Sequence, residues 1–304
     1  MLTMFSTAKP FRGQAAVQQR NALESWRRLH ATAEIILFGD EEGAAQVCAE
    51  LGVRHEPEVE RHASGLKYLD GMFRRAQQIA KHDYLCYANC DMVLLPDFRR
   101  GLEIAIGWTR RFLLVGRRWD TEVSEAIEFG EEGWAERLRR RAVTCGKKQI
   151  TDYVDYFVFP RGFYGEVPRL VVGRSYWDHW LVWRAREGGL PVVDGSRFIV
   201  AVHQNHDYGY HAQGKAGTNA DEMALRNVQL AGGPEHLRSV RDATHAITTG
   251  GRILATPLRG PLARIYELRS KQVLLERTLG VRTRLGLRKK AAENVAAAAG
   301  GAKG

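Results

Sequence analysis

The stretch Y87-A-N-C-D-M-V-L-L-P-D97 decides the fold, because it is an oily run interrupted by two polar side chains. Tyr84 to Leu95 is apolar on both faces, as a central strand of a parallel sheet should be. Side chains alternate along a strand, so Asn89 and Asp91 are expected on one side of the sheet. In open α/β sheets ligands bind beyond the carboxyl ends of the strands. An acid at that edge is therefore a candidate ligand-binding group, unless it only caps the turn before Pro96-Asp97.

The sequence upstream supports an alternating α/β order. L2-T-M-F-S-T-A8 reads as a first strand, followed by a helix to His30 with Ala22, Leu23, Trp26 and Leu29 on one face. A33-E-I-I-L-F-G-D40 reads as a second strand whose end places Asp40 at the same edge as Asp91. The next helix stops near Gly52, a left-handed terminator. S64-G-L-K-Y-L-D-G-M-F-R-R-A-Q-Q-I-A-K81 has helical spacing at Leu66, Leu69, Met72, Phe73, Ala76 and Ile79, with Ser64 as the candidate N-cap. Beyond residue 100, 110–120 and 152–164 read as strands, and 175–189 as a helix ending at Gly188-Gly189. A charged helix over 131–142 has no visible tie to the core. Residues 191–211 are strand-like and then rich in histidine.

The chain has 304 residues, 44% of them hydrophobic, enough for one large domain with an appendage. No window approaches the ~18 uninterrupted apolar residues of a membrane span, and the first residues lack a basic leader with an apolar core. Cys48, Cys86, Cys90 and Cys145 show no CxxC pairing, which fits a reduced, cytoplasmic setting. Residues 252–304 hold twelve Lys/Arg and three Glu, so they carry +9 of the net +10. The body is nearly neutral, which argues against a nucleic-acid partner. Residues 252–290 form a basic helical extension. It reads either as an interfacial helix on anionic lipid, giving peripheral contact with the inner face of a membrane, or as a helix packed on the body. Residues 291–304 have the composition of a disordered tail.

The elements F5-S-T-A-K-P-F11, I36-L-F-G-D40, L66-K-Y-L-D-G-M-F-R-R-A76 and Y87-A-N-C-D-M-V-L-L-P-D-F98 together resemble a glycosyltransferase of the GT-A fold, by order of elements over about residues 1–210. That resemblance implies a GT-A-like (Rossmann-like), mostly parallel sheet flanked by helices over 1–251. Residues 1–100 would be the nucleotide-binding half and 101–251 the acceptor half. It implies a nucleotide-sugar donor, UDP by default, a glycan or other hydroxyl acceptor, and Mn2+ or Mg2+. Where the family often has an Asp-x-Asp motif, this chain has Asn89-Cys90-Asp91, which leaves the metal contact to Asp91.

By position, the resemblance assigns Ser6, Thr7, Lys9, Asp40, Gly65, Lys67, Asn89 and Asp91 to nucleotide-sugar binding. Asp178, flanked by Trp177 and Trp180, is placed as the base that takes the acceptor's proton in an inverting transfer. Asp155, Arg174 and Trp177 would contact the acceptor. Three histidines, His203, His206 and His211, fall within nine positions, and His203 and His206 join Asp91 as candidate metal ligands. The loop 211–219, with Lys215, reads as a lid. The resemblance places the chain in glycan or polysaccharide synthesis. Two other readings remain open: a catalytically silent relative that binds a glycan or a partner, and a sugar nucleotidyltransferase. The latter should open with a Gly-rich, Arg-bearing loop that F5-S-T-A-K-P-F-R-G13 lacks.

Overall fold

A computed structural model of the chain describes residues 2–206 and 221–257. The lid loop 211–219 with His211 and Lys215, most of the basic extension and the tail 291–304 lie outside them. In chain order the strands are β1 (Leu2–Thr7), β2 (Glu34–Phe38), β3 (Arg54–Glu56), β4 (Tyr84–Ala88), β5 (Met92–Leu94), β6 (Leu113–Val115), β7 (Arg118–Thr121), β8 (Lys147–Lys148), β9 (Tyr156–Pro160), β10 (Val192–Asp194), β11 (Ala201–Gln204), β12 (His245–Ile247) and β13 (Ile253–Ala255). The helices are α1 (Gly13–Arg27), α2 (Ala44–Leu51), α3 (Leu69–Ile79), α4 (Pro96–Trp108), α5 (Trp134–Cys145), α6 (Trp177–Glu187) and α7 (Glu222–Leu230).

Nine strands form one sheet in the order β13-β12-β10-β6-β9-β4-β1-β2-β3. Its β3-β2-β1-β4 half is parallel throughout, and β9 runs antiparallel between β4 and β6. The expected class, an α/β fold with a mostly parallel sheet flanked by helices, is what the chain adopts. Alternation sorts the core. Met4, Ile35 and Cys86 face Leu23 and Trp26 of α1, Val47 of α2 and Phe98 of α4. Phe5, Tyr87 and Phe159 face Phe73 of α3, with ring centroids 5.0, 5.7 and 5.6 Å from it. Burying each such ring contributes about 1.5–3 kcal/mol, and Phe73 anchors α3 together with the buried Leu69, Met72 and Ala76. α2 ends as expected at Gly52, with φ of 64°.

Several expectations change. The extension from 252 does not begin as a helix: Ile253–Ala255 form β13, antiparallel to β12. The run 84–95 is not one strand. β4 ends at Ala88, residues 89–91 turn, and β5 joins a second, four-stranded sheet, β5-β11-β7-β8. The turn is closed by the Met92 amide donating to the Asn89 carbonyl (3.1 Å), while the Asn89 amide donates to the Asp155 carbonyl (3.0 Å). The indole of Trp26 anchors the far side of the break by donating to the Met92 carbonyl, 2.9 Å. Asp91 therefore owes its position to a turn between sheets, not to strand alternation. Ser64 is likewise not the N-cap of α3. Residues 61–68 make a small antiparallel excursion, and the helix starts only at Leu69, whose amide donates to the Leu170 carbonyl. The charged helix α5 does have a tie to the core: Leu138 and Ala142 pack on Val93 and Val202 of the second sheet and on Leu95.

Candidate functional site

A cavity of about 420 Å³ opens at the carboxyl ends of β1 and β4, the edge where ligands bind in such sheets. Thr7 and Lys9 reach it from β1, Asn89 and Asp91 from the turn, and Asp178 from the start of α6.

On its wall a carboxylate meets two imidazoles. His203 is the third residue of β11, which pairs antiparallel with β5 and so sets His203 against the turn at Asp91. His206 follows just past the strand. Nε2 of His206 stands 3.2 Å from Asp91 Oδ2, and Nε2 of His203 stands 3.7 Å from the same atom. One ligand atom from each of the three lies within 4.8 Å of the other two. The other oxygen of Asp91, Oδ1, is buried with no hydrogen-bond partner among the described residues. A buried, unpaired carboxylate oxygen is costly unless a ligand completes it. Burial alone would raise the Asp91 carboxyl, but His203 and then His206 reverse that and hold it well below the usual carboxylate range. The donor set fits a divalent transition metal; two nitrogens favour Mn2+ over Mg2+, which prefers all-oxygen shells.

A polar relay braces this trio. Nδ1 of His203 stands 3.2 Å from Asp120 Oδ1, close enough for charge pairing although outside hydrogen-bond angles. Asp120 also accepts from Arg118 Nε (2.7 Å) and from Gln149 (2.7 Å). Burial raises the Asp120 carboxyl, but His203 and Arg118 together bring it down to about 2. Arg118 Nη1 donates to Asp155 Oδ2 at 2.8 Å, and Asn89 Nδ2 donates to Asp155 Oδ1 at 2.5 Å. The relay thus runs from the turn, through Asp155, Arg118 and Asp120, back to His203. A carboxylate behind a ligating imidazole helps to orient it.

Across the cavity, Asp178 opens α6. Its Oδ1 accepts from the Tyr176 amide at 3.1 Å. Tyr176 is the one non-glycine among the described residues with positive φ, 86°, and this strained backbone sets the angle at which Trp177 and Asp178 enter. Burial, reinforced by the charge of Asp155, raises the Asp178 carboxyl above its ordinary value against the opposing pull of His179. Trp177 lines the cavity, its ring 5.1 Å edge-on from Tyr87.

The other assigned residues divide. Thr7, Lys9, Gly65 and Lys67 line the cavity. Ser6 does not: it is fully buried and donates to the Ala88 carbonyl, tying β1 to β4. Asp40 does not either; its side chain is 70% exposed and pairs with Arg61. The adjacent Glu41 takes that place, ion-paired to Lys67 and Arg61, with Oε2 buried and unpartnered among the described residues. Asp155 lines the cavity, but Asn89 and Arg118 occupy its two oxygens, which makes it a clamp. Arg174 lines it as well, with its guanidinium paired to Asp221, the N-cap of α7. Trp180 is buried and absent from the lining. The reading from sequence missed Glu41, Arg61, Arg118 and Asp120. Arg118 and Asp120 stand two apart on one strand, the one available signal that they share a face.

No family model and no curated protein matches the chain. Among solved structures, it is similar to a mannosyltransferase from Pyrobaculum calidifontis in complex with GDP-Man and Mn2+, at 12% identity and a TM-score of 0.46, over 75% of this chain and 63% of that one. It is similar to glucosyl-3-phosphoglycerate synthase from Mycobacterium tuberculosis, in complex with Mn2+, UDP and glucosyl-3-phosphoglycerate, at 11% identity and 0.45, over 85% and 88%. S. aureus TarS 1–349 shows 8% identity and 0.40, over 67% and 58%. The chain spans less than two thirds of the first and third of these.

Proposed function

We propose that the chain is a metal-dependent glycosyltransferase that moves a sugar from a nucleoside diphosphate, UDP by default, to an acceptor hydroxyl with inversion. The observation that carries this reading is the Asp91–His203–His206 trio, with its orphaned buried oxygen, in the same cavity as the raised carboxyl of Asp178.

Asp91, His203 and His206 would hold Mn2+, or less readily Mg2+, which when bound offsets charge building on a diphosphate leaving group. Lys9, whose charge already contributes to the low Asp91 carboxyl, stands where it would add a second positive contact to the phosphates. Glu41, where Asp40 was expected, is offered to the hydroxyls or N–H groups of the nucleoside. Gly65 and Lys67 close that end.

Asp178 would take the proton of the acceptor hydroxyl. Its raised carboxyl makes it a better base than an ordinary aspartate, and Trp177 helps exclude water. Asn89 and Asp155 keep the turn in place through the relay, and Asp221 holds Arg174 at the acceptor side. Glycan or polysaccharide assembly is the proposed setting. Among the described residues no helix is long and apolar enough to cross a membrane.

The test is to incubate the full chain with a panel of sugar nucleotides and Mn2+ and to assay the released nucleoside diphosphate. Release that is lost in Asp91→Asn supports the assignment. No release together with no sugar-nucleotide binding overturns it in favour of a glycan- or partner-binding module.

A further inference from the structure

A second cavity, of about 780 Å³, lies behind the small sheet. β7 divides the two cavities: Arg118 and Asp120 turn toward the first site, and Trp119 between them turns toward the second.

Four cations line it: Arg100 from α4, Arg139 from α5, Lys148 from β8, and Arg197 from the turn after β10. The acid beside them, Asp97, is engaged through Oδ2 alone, and its Oδ1 is buried with no hydrogen-bond partner among the described residues. Oδ2 pairs with Arg139 at 2.7 Å and accepts from the Val200 amide at 3.0 Å. Lys148 donates to the Ser196 carbonyl and sits 5.3 Å over the Trp119 ring. Arg100 and Arg197 are exposed and have no ion pair among the described residues. Arginine forks in a cavity with surplus positive charge suit phosphate oxygens. The remaining wall is mixed: Ile104, Trp119, Val143 and Phe198 stand beside Ser196 and Thr249. The volume falls in the range of small-molecule sites, about 300–1,000 Å³, and the cations surround a hollow instead of tracking along a stripe as a polymer site would.

We propose that this second cavity binds the phosphate group of a small amphipathic phosphate ester, anchored by Arg100 and Arg197 with its apolar part against Trp119. It does not depend on the sugar-nucleotide reading of the first cavity.

The experiment titrates the full chain by calorimetry with octyl phosphate, below its micelle concentration, and with octanol. Octyl phosphate should bind and octanol should not. The double variant Arg100→Glu, Arg197→Glu should weaken binding at least tenfold, while Mn2+ binding at the first site is unchanged. Both positions are exposed, so the variant should fold. Pelleting with phosphatidylglycerol vesicles, but not phosphatidylcholine vesicles, that is lost in the double variant identifies a lipid headgroup as the source. Octyl phosphate binding without such pelleting identifies a free ester. Absence of octyl phosphate binding, equal binding by the double variant, or displacement by UDP overturns the proposal.

Discussion

Asp120 lies behind His203: its Oδ1 is 3.2 Å from Nδ1, on the side of the ring opposite Asp91. The pairing turns Nε2 of His203 toward the Asp91 carboxylate and links the candidate metal centre to Arg118 and Asp155. Asp120 touches no ligand in this arrangement, so it acts by orienting a side chain that does.

Asp120→Asn should therefore weaken Mn2+ binding by about 10–100-fold, the usual scale for removing a carboxylate behind a ligating histidine. Calorimetric Mn2+ titration with a parallel thermal melt checks this. An unchanged Mn2+ affinity would remove Asp120 from the site.

Asp91→Asn keeps the shape of the side chain and removes its charge. It should abolish measurable Mn2+ binding, because two imidazoles alone make an incomplete shell for this metal. The turn itself should survive, since it is closed by the backbone bond from Met92 to Asn89 and not by the Asp91 side chain. Retained Mn2+ affinity in this variant would place the metal elsewhere.

Much of the frame around these residues is legible in the sequence. β1, β2 and the Gly52 stop follow from apolar runs and one left-handed glycine. The break after Ala88 is not legible, because Met92, Val93 and Leu94 are equally apolar whether they extend β4 or cross to the second sheet. What decides it is pairing with β11, more than 100 residues later. Ser6 and Thr7 illustrate the same limit. Both look like turn residues at a strand end, and only the parallel registers of β2 and β4 put Ser6 beneath the floor and Thr7 at the rim. Asp155 read as an acceptor contact because its partner Arg118 is 37 positions away.

Asp178→Asn should reduce transfer by at least ~10²-fold, the scale of losing a general base, and leave donor affinity unchanged. The pH dependence follows from the direction of its shift. A base whose carboxyl is raised becomes ionised only above the ordinary aspartate range, so the acid limb of the rate profile should sit higher than a normal carboxylate gives. The same shift has the opposite sign for stability. A carboxyl raised on folding favours the folded state while protonated, and that contribution is lost as pH rises through its folded value. At neutral pH the asparagine variant should thus melt higher than the parent while transferring far less. A variant with equal or lower melting temperature and intact transfer would count against both roles.

Phe73→Ala should cost about 3–5 kcal/mol, as large aromatic deletions in cores do. Its ring is fully buried among Phe5, Tyr87, Phe159 and Tyr164. Chemical denaturation measures the loss, and a cost below about 1 kcal/mol would mean that α3 is held by other contacts.

Glu41 and Asp40 offer the sharpest contrast between what the sequence suggested and what the fold does. Both carboxylates follow β2 and both meet Arg61, but Asp40 projects into solvent while Glu41 is nine-tenths buried at the cavity wall. Asp40→Asn should change sugar-nucleotide affinity less than about twofold, since an exposed pair is screened by water and contributes little. Glu41→Gln keeps an oxygen for Lys67 but removes the charge, and with it the strongest acceptor that the wall offers to a nucleoside. Its affinity for a sugar nucleotide should fall at least tenfold, about 1.4 kcal/mol, at the modest end for losing a charge-assisted hydrogen bond. Circular dichroism and a thermal melt separate this from unfolding, because the substitution also removes the ion pairs with Lys67 and Arg61. Equal affinities for both variants would mean that the nucleoside does not lie along this wall.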